Sequence, residues 1–284
     1  MSLKQPVQYP VKYYSYLDVG APQLTDVDGS IKAILKACLV TGIGEKAGAG
    51  WTSLFEDTYR IVLRRPLGTG NPPDIKVENG VINAVASHRI VSQDNPTGLD
   101  DAVELASVNL LAHDSRFLNK WHLIVSDFGF IFCYHMSENG INYPDKSSVL
   151  YVGSMQKIRD SDLDFFVASE YVLTTRAGTH GAWVNGILGP LTRFKDMRAN
   201  VIYTQKAYIE LSGTELAYNN DYLAQNIVIG ERSIAPFYCS SLKTHADLIA
   251  KVVSINGRQM LRYVDHVYSG VAKPLYIPID YWEL

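Results

Sequence analysis

Residues 121–134 read WHLIVSDFGFIFCY and are the clearest indication of the fold class in this sequence. Two apolar segments, 121–125 and 128–134, are separated by Ser126 and Asp127. Short apolar runs that are rich in β-branched and aromatic residues are typical of strands. This stretch therefore predicts two neighbouring strands.

Further short strands are predicted on both sides of this pair. They lie at residues 59–63, 75–77, 81–92, 149–152, 165–168, 171–175, 201–203, 207–211, 227–229, 248–255, 260–268 and 275–279. Asn79 and Gly80 form a dipeptide typical of a two-residue hairpin turn. Short strands at this spacing favour layered sheets over βαβ units. The sequence predicts a mainly β fold with a few helices (α+β), in which antiparallel strands form sandwich or barrel-like layers.

One N-terminal amphipathic helix is predicted. Its apolar positions recur at the helical period and are Ile31, Ile34, Leu35, Cys38 and Leu39. The helix ends at Gly42, and the candidate capping residues before it are Thr25, Asp26 and Asp28. The glycines at positions 42, 44 and 48 follow a helix and not a strand, which favours a helix C-cap and a flexible loop over a phosphate-binding loop. Residues 100–111 are ambiguous, and a short helix or an irregular segment is expected there.

The first 22 residues differ from the rest of the chain. They carry three prolines and no periodic apolar face, and their tyrosines are Tyr9, Tyr13, Tyr14 and Tyr16. This composition predicts an extended N-terminal arm, residues 1–22, whose tyrosines bind a partner subunit; a frayed terminus is the alternative. An N-terminal α+β domain (23–170) and a C-terminal β-rich domain (171–284) are expected to follow, unless the two form one continuous domain.

Charge and composition exclude several classes of partner. The chain has 26 Lys and Arg against 29 Asp and Glu, a net charge of −3, so no basic field exists to hold nucleic acid or an anionic membrane. No apolar run is long enough to span a bilayer, and the N-terminus does not resemble a signal peptide. The three cysteines are far apart and form no CxxC pair, which favours neither a disulfide framework nor a zinc site.

No motif for catalysis is present in the sequence. The seven histidines lack metal-ligand spacing, and His122 and His135 fall in apolar strands where a structural role is expected. Asp160, Asp162 and Asp164 could belong to a glycosidase pair or a cation site, but a solvated turn is favoured. The sequence therefore predicts no catalytic residue, no cofactor and no metal.

Several motifs resemble those of a family of tailed-bacteriophage and prophage virion structural proteins. GAPQL at 20–24 followed by GSIKAILKACLVTGIG at 29–44 resembles the opening of that family. GWT at 50–52, WHLIVSDFGFIF at 121–132 and YVGS at 151–154 are similar to its later motifs. The resemblance extends over about residues 11–170 and fades beyond them.

The resemblance implies a structural role in the tail, baseplate or neck of a virion assembled in the cytoplasm of a bacterial host. It implies other virion proteins as partners and a homo-oligomeric state, and it brings no catalytic residue with it. Two alternatives remain: a receptor-binding or carbohydrate-binding module that contacts host surface glycan, and a glycan depolymerase.

Overall fold

A computed structural model describes the chain over fourteen ranges. These are residues 7–25, 27–66, 73–82, 85–110, 120–135, 147–157, 166–169, 193–204, 207–208, 216–218, 221–228, 233–240, 250–268 and 271–283. Asp160, Asp162 and Asp164, for which the sequence favours a solvated turn over a cation or glycosidase site, lie outside the described residues.

The described elements are almost all strands. Up to residue 135 they are β1 (Gln8–Pro10), β2 (Lys12–Ser15), α1 (Ser30–Lys36), a π-helical turn (Ala37–Thr41), β3 (Thr52–Glu56), β4 (Ile61–Arg64), β5 (Asp74–Ile82), β6 (Val85–Asp94), β7 (Val103–Leu110), β8 (Lys120–Ser126) and β9 (Gly129–His135). Beyond it they are β10 (Ser147–Ser154), β11 (Gln156–Lys157), β12 (Phe166–Ser169), β13 (Arg193–Asp196), β14 (Ile202–Thr204), β15 (Ala207–Tyr208), β16 (Leu216–Tyr218), β17 (Asp221–Val228), β18 (Ser233–Ser240), β19 (Ala250–Ile255), β20 (Arg258–Tyr268), β21 (Val271–Pro278) and β22 (Tyr281–Glu283).

Four antiparallel sheets contain these strands. The central sheet has seven strands in the order β14-β13-β12-β10-β9-β8-β2. A five-stranded sheet runs β3-β4-β5-β6-β7, and β1 pairs with β22. An eight-stranded sheet has the path β15-β17-β18-β21-β20-β19, with β11 on β18 and β16 on β17. The mainly β prediction is confirmed.

The central sheet is buried on both faces because its apolar side chains alternate between two cores. One face packs with α1 and the five-stranded sheet, and its residues are Leu123, Val125, Phe130, Phe132, Tyr134, Leu150, Val152, Phe166 and Ala168. The other face packs with Leu261, Tyr263, Leu275 and Ile277 of β20 and β21, and its residues are Ile124, Ile131, Cys133, Val149, Tyr151 and Val167. The fold is therefore layered, with the strand pair at 121–134 in the middle.

The predicted helix is confirmed, with its expected apolar face inside. Ile31, Ile34, Leu35, Cys38 and Leu39 are all 0% exposed. The capping prediction is wrong: Gly29, at φ +85°, precedes the first turn, and no side chain caps it. The predicted caps Thr25 and Asp28 do not fill this role, and Asp26 lies outside the described residues.

The loop after the helix is packed and not loose. The Gly42 N–H donates to the Ala37 carbonyl at 2.6 Å, which closes a π-type turn where the helix ends. A Cβ on Gly48 would overlap the carbonyl of Val40, so only glycine fits this close approach. The expectation of a flexible loop is corrected, because the chain returns directly against the helix end.

Two local predictions are wrong. Asn79 and Gly80 are paired strand residues, opposite His88 and Ser87, because β5 continues to Ile82 and the reversal comes later. Residues 103–110 form strand β7, paired with β6 around a bulge, and not a helix. The apolar spacing at 103–111 fits both periods over so short a window, and pairing with β6 decides between them.

Residues 8–15 of the predicted arm form strands that pair within the chain, which does not fit an arm held by a partner subunit. Strand β2 pairs with β8 at the edge of the central sheet, and β1 pairs with β22 near the C-terminus. Both pairings are within the chain, so this segment is part of its own sheets. The predicted boundary at 170/171 also fails to separate the sheets, since β12 pairs with β13 and β11 pairs with β18 across it.

Candidate interaction surface

The tyrosines expected to bind a partner lie on β1, β2 and the turn that follows. Tyr9 is half-buried opposite Trp282, and its ring meets Phe128 edge-on with centroids 4.2 Å apart. This contact attaches the start of the chain to the central sheet. Tyr9 therefore packs against residues of its own chain, and only part of its side chain is accessible to a partner.

Tyr14 is a core residue, so its predicted role in partner binding is wrong. Its side chain is 0% exposed, and its hydroxyl donates to the Ala47 carbonyl at 2.6 Å. Burial raises the pKa of its hydroxyl, as expected for a phenol removed from water. The alternation of β2 turns Tyr14 toward the helix layer and Tyr13 toward the opposite layer.

Tyr13 and Tyr16 enclose the imidazole of His122. The Tyr13 hydroxyl lies 2.8 Å from His122 Nδ1, and the two rings are stacked with centroids 5.9 Å apart. Tyr16 meets the same imidazole edge-on at 5.8 Å. Burial lowers the pKa of His122 to about 4, while Asp18 acts in the opposite direction. His122 is thus a neutral structural residue at neutral pH, in line with the sequence-based expectation.

A tightly bonded turn, residues 15–21, follows β2; we call it the 15–21 turn. Asp18 organises it, because its carboxylate accepts the Ser15 N–H at 3.0 Å and its own N–H donates to the Ser15 carbonyl at 3.1 Å. The Ala21 N–H donates to the Asp18 carbonyl at 3.0 Å. Lys46 completes the arrangement with an ion pair to Asp18 at 2.8 Å. These bonds hold the backbone of the turn in one conformation.

The 15–21 turn presents two large apolar side chains to solvent. Leu17 is 72% exposed and Val19 is 87% exposed, the two largest values among the exposed large hydrophobic residues of the described ranges. Gly44 permits the turn to sit against the helix end, since a Cβ there would lie 2.8 Å from the Val19 carbonyl oxygen. Leu17, Asp18 and Val19 are not among the residues predicted from the sequence, although Asp18 and Gly20 next to apolar residues are typical of a turn.

A second exposed apolar pair lies near the start of the helix. Val27 is 64% exposed and Tyr59 is 49% exposed. Asp57, two residues before Tyr59, accepts the N–H groups of Tyr59 and Arg60 and pairs with the Arg60 guanidinium at 2.7 Å. Arg60 also pairs with Asp100 at 2.6 Å. An exposed aromatic ring therefore stands next to a fixed set of polar groups.

Charged groups on the five-stranded sheet form an ion-pair network. Glu78 contacts Lys76 at 2.7 Å and Arg89 at 3.0 Å, and Arg89 also bonds Glu104. Each of these carboxylates contacts a cation, which is typical of a structural network. Within the part of the chain that the structure describes, no group of three or more His, Cys, Asp or Glu could hold a metal ion.

Comparison with known proteins leaves the family open. No protein-family model, no curated protein and no solved structure matches the chain. Among the described residues, no helix has the length and apolar character needed to cross a bilayer.

Proposed function

We propose that this chain is a structural subunit of a tailed-bacteriophage virion, in the tail, baseplate or neck, and that it acts through contacts with other subunits. The 15–21 turn is the observation that carries the proposal. Its backbone is fixed by hydrogen bonds, yet it exposes Leu17 and Val19 almost fully. A rigid apolar element loses little conformational entropy on binding, which favours a role in subunit contact.

The residues that carry the family resemblance form part of the scaffold beside the 15–21 turn. In the 29–44 segment the apolar residues form the buried helix face, and Gly42 and Gly44 adopt positive φ angles at its end. Packing and turn geometry account for these positions, so the resemblance rests on residues that build a scaffold. We expect assembly in the host cytoplasm, with copies of the chain and other virion proteins as partners.

The test is a double variant, Leu17→Asp with Val19→Asp. Both side chains are exposed, so the fold should survive, while a contact that buries them should be lost because charge is excluded from apolar interfaces. Sedimentation across a wide concentration range should show association of the wild-type chain and its loss in the variant. Val252→Asp is the matched control, since Val252 is 42% exposed on a different sheet.

A parallel measurement addresses the virion itself. Mass spectrometry of purified phage particles from a host that expresses the chain should detect the wild-type protein and little of the double variant. A chain that stays monomeric at every concentration and is absent from the particles would contradict the proposal.

A second candidate function, binding of host surface glycan, is favoured by one observation. Tyr59 is half exposed beside the Asp57, Arg60 and Asp100 network. Aromatic rings stack on sugars, and fixed carboxylates accept bonds from sugar hydroxyls. Binding of purified glycan, measured by calorimetry, should be lost in Tyr59→Ala and kept in Leu17→Asp/Val19→Asp if this candidate is correct.

A further inference from the structure

Of the two Asn-Gly pairs that the structure describes, only one forms the hairpin turn that this dipeptide favours. Asn256 and Gly257 connect β19 to β20, and Ile255 lies opposite Arg258 where the strands meet. Both turn residues have positive φ angles, 49° for Asn256 and 81° for Gly257. These values are typical of a two-residue turn of type I′.

The tip of this hairpin is open to solvent. Asn256 and Gly257 are both exposed, and a Cβ added to Gly257 would have no atom within 4 Å. The backbone bonds that close the turn join Ile255 and Arg258. Among the residues that the structure describes, neither the Gly257 N–H nor the Asn256 side chain makes a hydrogen bond. No contact therefore holds the Asn256 amide away from the backbone nitrogen of Gly257.

We propose that Asn256 is a site of spontaneous deamidation and that the fold protects Asn79, which has the same neighbour in the sequence. Asparagine is one of the thermally labile residues of proteins, and a following glycine leaves the backbone free to rotate. The Gly257 nitrogen loses its proton and attacks Asn256 Cγ, so that a C–N bond forms. The Cγ–Nδ2 bond breaks, and ammonia leaves with that proton. Water then opens the resulting succinimide at either carbonyl, which yields aspartate or isoaspartate.

Asn79 is in a different environment. Asn79 and Gly80 lie within β5 and pair with His88 and Ser87 of β6. A strand ladder fixes the backbone in an extended conformation, so the Gly80 nitrogen can reach Asn79 Cγ only after the strands separate locally. The rate at Asn79 is reduced by the small fraction of molecules in which this pairing is open.

Isoaspartate at position 256 also changes the hairpin, because its main chain contains one more carbon than that of asparagine. A type I′ turn matches the twist of its strands only with its normal backbone. Arg258, next to the turn, donates to Asp280 at 3.0 Å and to the Tyr281 carbonyl at 2.6 Å. Ile255, on the other side of the turn, is 1% exposed. The longer backbone therefore loosens the junction between this hairpin and β22.

The first experiment compares the two sites in one sample. The folded chain is incubated in mildly alkaline buffer, and peptide mass spectrometry measures the mass increase that accompanies exchange of NH₂ for OH. Asn256 should convert at least about tenfold faster than Asn79, because Asn79 reacts only through local opening. In urea, where both pairs are unfolded, the two rates should be similar. Asn256→Gly, which retains the positive φ, should remove the signal at the turn.

The second experiment measures the effect on the hairpin. Hydrogen exchange at residues 255–259 should be faster in wild-type protein aged in this way than in fresh protein. Asn256→Asp is the matched control, because it adds the negative charge with a normal backbone. Aged Asn256→Gly controls for other changes during incubation, and neither variant should show the faster exchange.

Equal conversion of Asn79 and Asn256 in the folded chain would overturn the proposal, as would conversion of Asn256 only in urea. If aged wild-type protein exchanges no faster than Asn256→Asp, then the effect on the hairpin is wrong. These outcomes are independent of the proposed function, because none of them requires the chain to associate through Leu17 and Val19.

Discussion

Replacing Tyr14 by alanine tests whether the N-terminal segment belongs to the core. The side chain is 0% exposed and is packed among the helix and the strands of the central sheet. Removing a buried aromatic ring of this kind costs about 3–5 kcal/mol, because apolar contacts are lost and a cavity remains. Tyr14→Phe keeps the ring and loses only the bond to the Ala47 carbonyl. Ala47 is exposed, so water can replace that bond and the expected cost is about 1 kcal/mol.

Urea denaturation followed by circular dichroism measures these differences as shifts of the midpoint at constant slope. Tyr59→Ala is the control, because Tyr59 is 49% exposed and its removal should change the free energy of unfolding by no more than about 0.5 kcal/mol. If Tyr14→Ala were as stable as Tyr59→Ala, the side chain of Tyr14 would not be part of the core. That result would restore the interpretation of residues 1–22 as an arm that depends on partner subunits.

Two further predictions concern the helix and the buried histidine. Leu35→Asp should unfold or aggregate the chain, because an unpaired buried charge costs several kcal/mol. Ala33→Asp, on the exposed side of the same helix, should melt close to wild type. Equal melting temperatures of the two variants would disprove the burial of the helix face that contains Leu35. The pKa of His122 is lowered to about 4 in the folded chain against about 6.5 in the unfolded chain, so the unfolded state binds the proton first as the pH falls. Protonation of His122 should therefore lower the free energy of unfolding by roughly 3 kcal/mol as the pH falls from about 6.5 to about 4. Urea titrations at several pH values should show a smaller decline for His122→Gln than for the wild-type chain. A decline that is the same in both proteins would assign it to other groups.

The elements predicted well are those whose local pattern and tertiary role agree. The helix face at 31–39 repeats at the helical period, and the fold buries that face. The pair at 121–134 is apolar at consecutive positions and not only at alternate ones, which is typical of strands that are buried on both faces. In these segments the local preference and the packing select the same structure.

The wrong predictions occur where a short signal competes with strand pairing. Asn79-Gly80 is a favourable turn dipeptide, but the register of β5 against β6 runs through it. The apolar spacing at 103–111 also fits a helix, but residues 103–110 form strand β7 because their backbone pairs with β6. A local preference of this size is small compared with a ladder of backbone bonds to a neighbouring strand.

The mainly β class, the buried face of the N-terminal helix and the central strand pair can be predicted from the chain alone, because each depends on periodicity over neighbouring residues. Other facts required the folded structure: residues 8–15 belong to the sheets, Tyr14 lies in the core, and Asp18 and Lys46 meet at the edge of β2. These facts depend on pairing between residues far apart in the chain, such as Tyr14 with Leu123. The spacing of residues within one segment predicts its secondary structure and its buried face, but it does not predict which distant strand pairs with that segment.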